Sequence, residues 1–99
     1  MISRQWRGLA RTDQADAYEE HLLRETLPEL KKIEGFVDAS IVKRALETGV
    51  EFLVVTRWRS LGAIAKFAGT DVEAAVVPEK VQPMMIEYDR RARHYEVVK

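Results

Sequence analysis

The chain has 99 residues, which suffices for one domain built around a single hydrophobic core. It is 46% hydrophobic and 32% charged, and 16 basic residues balance 16 acidic ones to a formal net charge of zero. This balance argues against nucleic acid as a partner, because non-specific nucleic-acid binding normally depends on an excess of positive charge. There is no cysteine, which excludes disulfides and thiolate metal ligands and is typical of a reducing compartment.

Nothing along the chain predicts a membrane partner or a bound cofactor. The N-terminal residues lack the pattern of a signal peptide, and no apolar run approaches the roughly 20 residues that a membrane-spanning helix needs. The two histidines do not have metal-ligand spacing, and no glycine-rich phosphate loop is present. We therefore expect a cytoplasmic protein without a metal or an added cofactor.

A strand and a long helix are predicted for the first third of the chain. Residues Ile2–Ala10 favour a strand, and the side chains of Thr12 and Asp13 can cap the helix that follows. Pro28 should kink or restart that helix, and Gly35 can end it in a left-handed conformation. Apolar spacing of three and four places one set of side chains on a common helical face: Ala15, Tyr18, Leu22, Thr26, Leu30 and Ile33.

Two further strands should form a hairpin in the middle of the chain. They are Phe36–Glu47 and Val50–Arg59, and Thr48-Gly49 between them favours a tight turn. Apolar side chains occupy both sides of the second strand, as expected where both faces of a sheet are covered.

The last third of the chain predicts two short helices and a long strand. Ser60 can cap a helix over Leu61–Ala68, which Gly69 ends. The pattern Thr70–Glu73 matches a capping box and predicts a second short helix. A long closing strand is predicted over Met85–Val98.

These elements follow the order βα-ββ-αβ, which favours a ferredoxin-like α+β fold in one domain of residues 1–99. Its antiparallel sheet would carry the helices on one face and leave the other face in need of a cover. The simplest cover is a second copy of the same sheet related by a two-fold axis, which predicts a homodimer.

Several short motifs, in order along nearly the whole chain, carry a resemblance to a known family. They are Trp6-Arg7-Gly8, Trp58-Arg59-Ser60, Phe67-Ala68-Gly69-Thr70-Asp71, Glu73-Ala74-Ala75-Val76-Val77-Pro78 and His94-Tyr95-Glu96-Val97. With them, the chain resembles the antibiotic biosynthesis monooxygenase-like family, whose members form dimeric α+β barrels. Some members oxygenate an electron-rich aromatic without a metal or cofactor, while the protein supplies a dry pocket, orientation and proton handling.

The resemblance implies a cofactor-independent monooxygenase acting on a small electron-rich aromatic of phenol, quinol or polyketide type. An alternative from another class is a non-catalytic dimeric module that binds a small molecule or another protein. A third possibility, an isomerase or decarboxylase on the same fold, would need a base in the pocket.

The chain also departs from the family at two points. The family's well-studied oxygenases use an asparagine in the pocket, and this chain contains no asparagine. Haem-degrading members carry a tryptophan in the short helix and a histidine about three helical turns later. Phe67 and Val77 stand at those places here, which argues against an iron ligand of that kind.

Two residues are candidates for proton transfer. His94 could shuttle a proton or orient a ligand, or it could form a structural hydrogen bond in the last strand or a dimer contact. Tyr88 could donate a phenolic proton to a bound oxygen atom, or pack in the core with its hydroxyl in water.

Five residues are candidates for contacting a substrate in a pocket between helices and sheet. Trp6 and Phe67 would form its apolar walls. Trp58 could stack on a flat substrate, although its residue type favours the core. Tyr18 could donate a phenolic proton to a bound oxygen atom, or it could pack with its hydroxyl in water, and the second interpretation is favoured. His21 flanks the apolar helical face, where a solvated edge is favoured over a cavity.

Arginines near the ends of the third and last strands could bind an anionic ligand or form ion pairs, and the second interpretation is favoured. They are Arg57, Arg59, Arg90, Arg91 and Arg93.

Overall fold

The structure, a computed structural model, describes all 99 residues as an antiparallel sheet with helices packed on one face. The strands are β1 (Ile2–Ala10), β2 (Phe36–Ala45), β3 (Val50–Trp58), β4 (Met85–Tyr88) and β5 (Arg93–Glu96). The α-helices are α1 (Ala15–His21), α2 (Leu27–Lys31) and α3 (Leu61–Ala68), and 3-10 turns lie at Thr12–Gln14 and Gln82–Met84. This arrangement confirms the predicted ferredoxin-like α+β fold. No helix combines the length and the apolarity needed to cross a bilayer.

β1 is the central strand of the sheet. β3 pairs with it along its whole length, from Ile2 opposite Trp58 to Ala10 opposite Val50. β2 pairs with the other side of β3, and both β4 and β5 pair with the free side of β1. Side chains of β1 therefore project into the middle of each sheet face.

The last strand is interrupted, so the predicted continuous strand over Met85–Val98 is wrong. β4 pairs with the second half of β1 and β5 with its first half. Between them, Arg91 forms an isolated bridge with Ala74, and the amide of Ala75 donates to the carbonyl of Arg90 at 3.0 Å. The strand leaves β1 at this point because its backbone groups bond to a different segment.

The first helix changes its winding before it ends. Between α1 and α2 lies a π-helical segment, Leu22–Thr26, after which the amide of Leu27 donates to the carbonyl of Leu22, five residues back. This wider turn comes directly before Pro28, which has no amide proton and cannot continue the regular hydrogen-bond ladder. The helix restarts there, as predicted. The members of the predicted apolar face that are buried are Ala15, Tyr18, Leu22 and Leu30.

The helix predicted from the capping box at Thr70–Glu73 does not form, and that prediction is wrong. The carbonyl of Val72 accepts a hydrogen bond from the side chain of Arg4, and the carbonyl of Glu73 accepts one from the amide of Ala92 at 2.8 Å. These long-range partners hold the segment in turns and an extended bridge, where a helical ladder cannot develop.

Of the two other predicted caps, one is found and one is not. Ser60 Oγ accepts a hydrogen bond from the amide of Ala63 at 3.1 Å and so caps α3. Thr12 and Asp13 lie inside a 3-10 turn instead, and neither side chain caps the helix that follows.

The two faces of the sheet differ in what covers them. On the helical side, two buried clusters form the core, one around Phe52 and one around Trp58. The opposite face, which we call the open face, carries apolar side chains with nothing from this chain above them. Among them, Val42, Leu53 and Tyr95 are 53%, 36% and 49% exposed.

Candidate functional site

A cavity of about 80 Å³, partly open to solvent, lies between the sheet and the helical side of the fold. The sheet contributes Arg4, Trp6, Val54 and Thr56. The first helix contributes Tyr18, His21, Leu22, Thr26 and Leu30, and the second half of the chain contributes Phe67, Val76, Val77, Pro78 and Val81. Most of these side chains are apolar, and no carboxylate is among them.

Trp6 lies at the middle of the cavity's sheet side. It shares a face of β1 with Arg4, because side chains two residues apart on a strand point the same way. Its indole N–H donates to the carbonyl of Asp89 at 2.8 Å, which fixes the plane of the ring. The ring centroid lies 6.3 Å from those of Tyr18 and Tyr88. The structure thus places Trp6 at the predicted pocket.

Arg4 brings a buried positive charge to the cavity, and sequence reasoning missed it. The residue is 5% exposed. Its Nη1 donates to the carbonyl of Val72 at 2.5 Å and to Nε2 of His94 at 2.7 Å, and its Nη2 donates to the carbonyl of Ala74 at 2.9 Å. Its Cζ lies 5.8 Å from the ring centroid of Phe67, within cation–π range. Burial lowers the pKa of Arg4, yet an arginine remains protonated at neutral pH.

His94 lies beside Arg4 and is not among the residues of the cavity wall, so of its two interpretations the structure shows the structural hydrogen bond. Burial, followed by the nearby charge of Arg4, lowers the pKa of His94, and the charge of Glu73 opposes this shift only partly. A neutral imidazole accepts the hydrogen bond from the guanidinium, so His94 acts as a structural acceptor that orients Arg4.

Tyr88 and Trp58 are likewise absent from the cavity wall. Tyr88 packs beside Trp6, and the guanidinium carbon of Arg90 lies 5.8 Å from its ring centroid. Trp58 is fully buried in the core, where its indole N–H donates to Thr56 Oγ1 at 2.8 Å. A substrate in this cavity would therefore not stack on Trp58, which corrects its inclusion among the contacting residues.

Tyr18 and Phe67 both line the cavity. Tyr18 is only 3% exposed, so the expectation that it reaches bulk water is wrong. Its ring meets that of Phe52 edge to face, with centroids 4.9 Å apart. Burial raises the pKa of the Tyr18 hydroxyl far above its usual value, and no other group of the chain bonds to it. The hydroxyl is therefore protonated, and it belongs to a residue of the cavity wall.

His21 is the imidazole that lines the cavity, and the expectation of a solvated edge is wrong because the residue is only 8% exposed. Its Nδ1 lies 3.3 Å from Glu25 Oε2, one helical turn later. Hydrogen bonds from Lys80 and then from His21 lower the pKa of Glu25, so this carboxylate is ionised. The Glu25 carboxylate orients the imidazole ring through Nδ1. Nε2 of His21 is left without a partner in the chain.

Two periodicities in the sequence point to the residues that were missed. Arg4 stands two positions before Trp6, so strand alternation already places both on one face. Glu25 stands four positions after His21, the spacing of facing side chains on a helix. Among the arginines near the strand ends, Arg57, Arg91 and Arg93 form ion pairs, as the favoured interpretation expects.

An antiparallel α+β sheet with an apolar cavity beneath its helices defines a ferredoxin-like protein with one candidate pocket. The chain belongs to the antibiotic biosynthesis monooxygenase family, whose family profile matches residues 1–78. The resemblance seen in the sequence is thereby confirmed. No curated protein sequence matches the chain.

Solved structures of similar fold support the assignment. A proposed antibiotic biosynthesis monooxygenase from Bacillus cereus is 21% identical, with all of this chain and 93% of that chain covered and a TM-score of 0.67. A proposed member from Nitrosomonas europaea is 17% identical over the whole of both chains, with a TM-score of 0.73. The haem degrader MhuD from Mycobacterium tuberculosis is 17% identical, covering 98% of this chain and 96% of that chain, with a TM-score of 0.60. Membership of the family supports a monooxygenase in general terms, and the solved structures show the shared fold.

The cavity departs from the haem-degrader pattern at two positions. Phe67 and Val77, which stand where the resemblance to haem degraders expects tryptophan and histidine, both line the cavity, and neither can ligate iron. A cavity of about 80 Å³ is also far too small to enclose a porphyrin.

Proposed function

We propose that this protein is a cofactor-independent monooxygenase that acts on a small electron-rich aromatic of phenol or quinol type. The observation that carries the proposal is the cavity itself, which brings three aromatic side chains and one oriented imidazole together in a member of this family. The aromatic side chains are Trp6, Tyr18 and Phe67, and the imidazole is that of His21. The small volume favours one ring over a polyketide.

In the simplest reaction of this type, a phenol and dioxygen give a quinone and water. The ring supplies four electrons. One oxygen atom becomes the new carbonyl, and the other leaves as water with the hydroxyl proton and the displaced ring proton. The protein's part is to remove the first proton, which makes the ring electron-rich, and to keep bulk water from the intermediate.

His21 is the proposed proton acceptor. Its Nδ1 is bound to an ionised carboxylate, and its free Nε2 belongs to a residue of the cavity wall. Tyr18 stays protonated and can donate a hydrogen bond to a developing oxyanion. Trp6 and Phe67 provide the apolar surfaces against which the ring would pack.

We further propose that the protein is a homodimer whose two copies meet through the open face. The apolar side chains of Val42, Leu53 and Tyr95 on this face are the support for this assembly, because a second copy would remove them from water. The cavity lies on the other side of the sheet, so each protomer would keep its own site.

The test is dioxygen uptake by the purified protein with a panel of simple phenols, catechols, hydroquinones and hydroxybenzoates. We expect uptake equal to substrate consumed, with one atom of ¹⁸O₂ in the product and no hydrogen peroxide. His21→Gln should lower the rate by about 10²- to 10⁴-fold, the usual contribution of a general base. Glu25→Gln should lower it less, and Glu29→Gln, an exposed helix carboxylate with its own lysine partner, should leave it unchanged.

The competing function is a non-catalytic binding module. It is favoured by one observation, the position of both predicted proton-transfer residues, His94 and Tyr88, away from the cavity wall. Ligand-dependent thermal stabilisation without any dioxygen uptake across the panel would establish that function and overturn the oxygenase.

A further inference from the structure

The positive charge of Arg4 has no counter-ion in this chain. Its partners are two backbone carbonyls and a neutral imidazole, and it forms no ion pair. Glu73 is the acidic residue whose charge affects the pKa of Arg4. Its side chain is half exposed, and its Oε1 lies 3.6 Å from Nη2 of Arg91. Burying a cation without a paired anion is costly, so an anionic ligand at this position would be favourable.

The guanidinium also retains two N–H groups that donate to nothing in the chain. Both hydrogens of Nη1 and one of Nη2 are bonded, which leaves the Nε hydrogen and the second Nη2 hydrogen without acceptors. Nε is nevertheless not sealed inside the protein, because no buried side-chain nitrogen lacks a partner. Arg57 uses the same two nitrogens to bind the carboxylate of Asp38, at 2.8 Å from Nε and 2.6 Å from Nη2.

The apolar lining and the small volume of the cavity determine which group can carry the anionic end of a ligand. The side chains of Trp6, Tyr18 and Phe67 surround an apolar space, and no carboxylate lines it that would repel an anion. A volume of about 80 Å³ is smaller than the cavity of about 150 Å³ that holds benzene in another protein interior, so one ring at most is admitted, with part of the ligand at the opening.

We propose that the cavity binds a small aromatic carboxylate, whose two oxygens accept hydrogen bonds from Nε and Nη2 of Arg4 while its ring packs against Trp6 and Phe67. This inference names the substrate class of the proposed monooxygenase and rests on that function for its chemistry: the substrate is a hydroxylated benzoic acid. The binding step itself requires no turnover and is measured separately.

The test is calorimetric titration of the whole protein with benzoate and with benzamide, which have the same shape and differ in charge. We expect benzoate to bind at least about tenfold more tightly, the difference that a charge-assisted pair makes. Equal affinities would overturn the proposal. Cyclohexanecarboxylate carries the same charge on a saturated ring and so tests whether the ring must be aromatic. If it binds as tightly as benzoate, the proposed preference for an aromatic ring is wrong.

Variants assign the effect to the two unbonded N–H groups of Arg4. Arg4→Lys keeps the charge but cannot bind a carboxylate through two parallel N–H groups. This variant should therefore lose most of the preference for benzoate over benzamide. Arg24→Gln, on an exposed helix arginine, should keep it. If Arg4→Lys retains the full preference, the assignment to Arg4 is wrong. If that variant does not fold, the comparison of benzoate with benzamide on the unaltered protein still decides.

The two proposals fail in different ways. Tight benzoate binding without dioxygen uptake on any hydroxybenzoate would support the carboxylate site and overturn the oxygenase. Uptake with neutral phenols, together with equal affinity for benzoate and benzamide, would support the oxygenase and overturn the carboxylate site.

Discussion

The indole ring of Trp6 lies over Gly8, two residues along the same face of β1. A Cβ added at Gly8 would stand 2.5 Å from Cη2 and 2.9 Å from Cζ3 of that ring, closer than such atoms approach. It would also stand 3.3 Å from the sulfur of Met85. The missing side chain of Gly8 is therefore what allows Trp6 to lie flat along the strand at the wall of the cavity.

Gly8→Ala should push the indole from this position. We expect the free energy of unfolding to fall by about 1–3 kcal/mol, the usual cost of overpacking, and ligand affinity to fall with it. Urea unfolding measures the first effect and calorimetry with benzoate the second. Gly62→Ala is the control, because its nearest neighbour would be Ser60 Oγ at 3.7 Å and alanine favours a helix. Equal stability of the two variants would contradict this account.

Gly35→Ala should destabilise the protein more than Gly69→Ala. Both glycines have positive φ, at 98° and 84°, so each alanine should lose roughly 1–3 kcal/mol through backbone strain. At Gly35, however, the new Cβ would stand 2.5 Å from the Cβ of Ala63, whereas nothing lies within 4 Å at Gly69. Thermal unfolding of the two variants checks the order. Adding Ala63→Gly should recover part of the loss at position 35 and none at position 69.

The stability of the protein should depend on pH through His94. The pKa of this imidazole is lowered in the folded state, so its stabilising effect is complete above the unfolded value of about 6.5 and is lost as pH falls through the folded value. Protonation would also place a second positive charge 2.7 Å from Arg4. His94→Gln retains an acceptor that does not titrate.

Urea unfolding at about pH 7.5 and about pH 5 tests this prediction. The loss of stability on acidification should be smaller in His94→Gln than in the unaltered protein. Contributions from the other titratable groups are common to both proteins and cancel in the comparison. An equal loss in both would show that His94 does not sense pH in the folded state.

Leu53→Glu should separate the proposed dimer. Leu53 is 36% exposed on the open face, opposite Val42 on β2, and a carboxylate there would have to lose its water if two copies met. Native mass spectrometry should show a dimer for the unaltered protein and a monomer for the variant. Leu23→Glu, on an exposed helical residue, should remain dimeric. A monomeric unaltered protein would overturn the assembly.

Short-range patterns in the sequence were enough to predict most elements of the fold. Alternation along Ile2–Ala10 and Val50–Trp58, and spacing of three and four along the first helix, are local consequences of strand and helix geometry. The same periodicities placed Trp6 and Tyr18 on the faces that meet at the cavity. Family motifs, distributed over much of the chain, then identified the fold and the family.

The pairing of the polar groups depends on contacts between distant parts of the chain. Arg4 is bonded to residues about 70 and 90 positions away, and no local pattern relates such distant positions. Those same bonds prevent the predicted helix at Thr70–Glu73, while the neighbouring bridge between Ala74 and Arg91 interrupts the last strand. His21 was assigned to a solvated edge because helical periodicity gives a direction around the axis but does not reveal what packs there. The sequence by itself therefore determined the elements and their order, whereas long-range packing decided which charged and titratable groups surround the cavity.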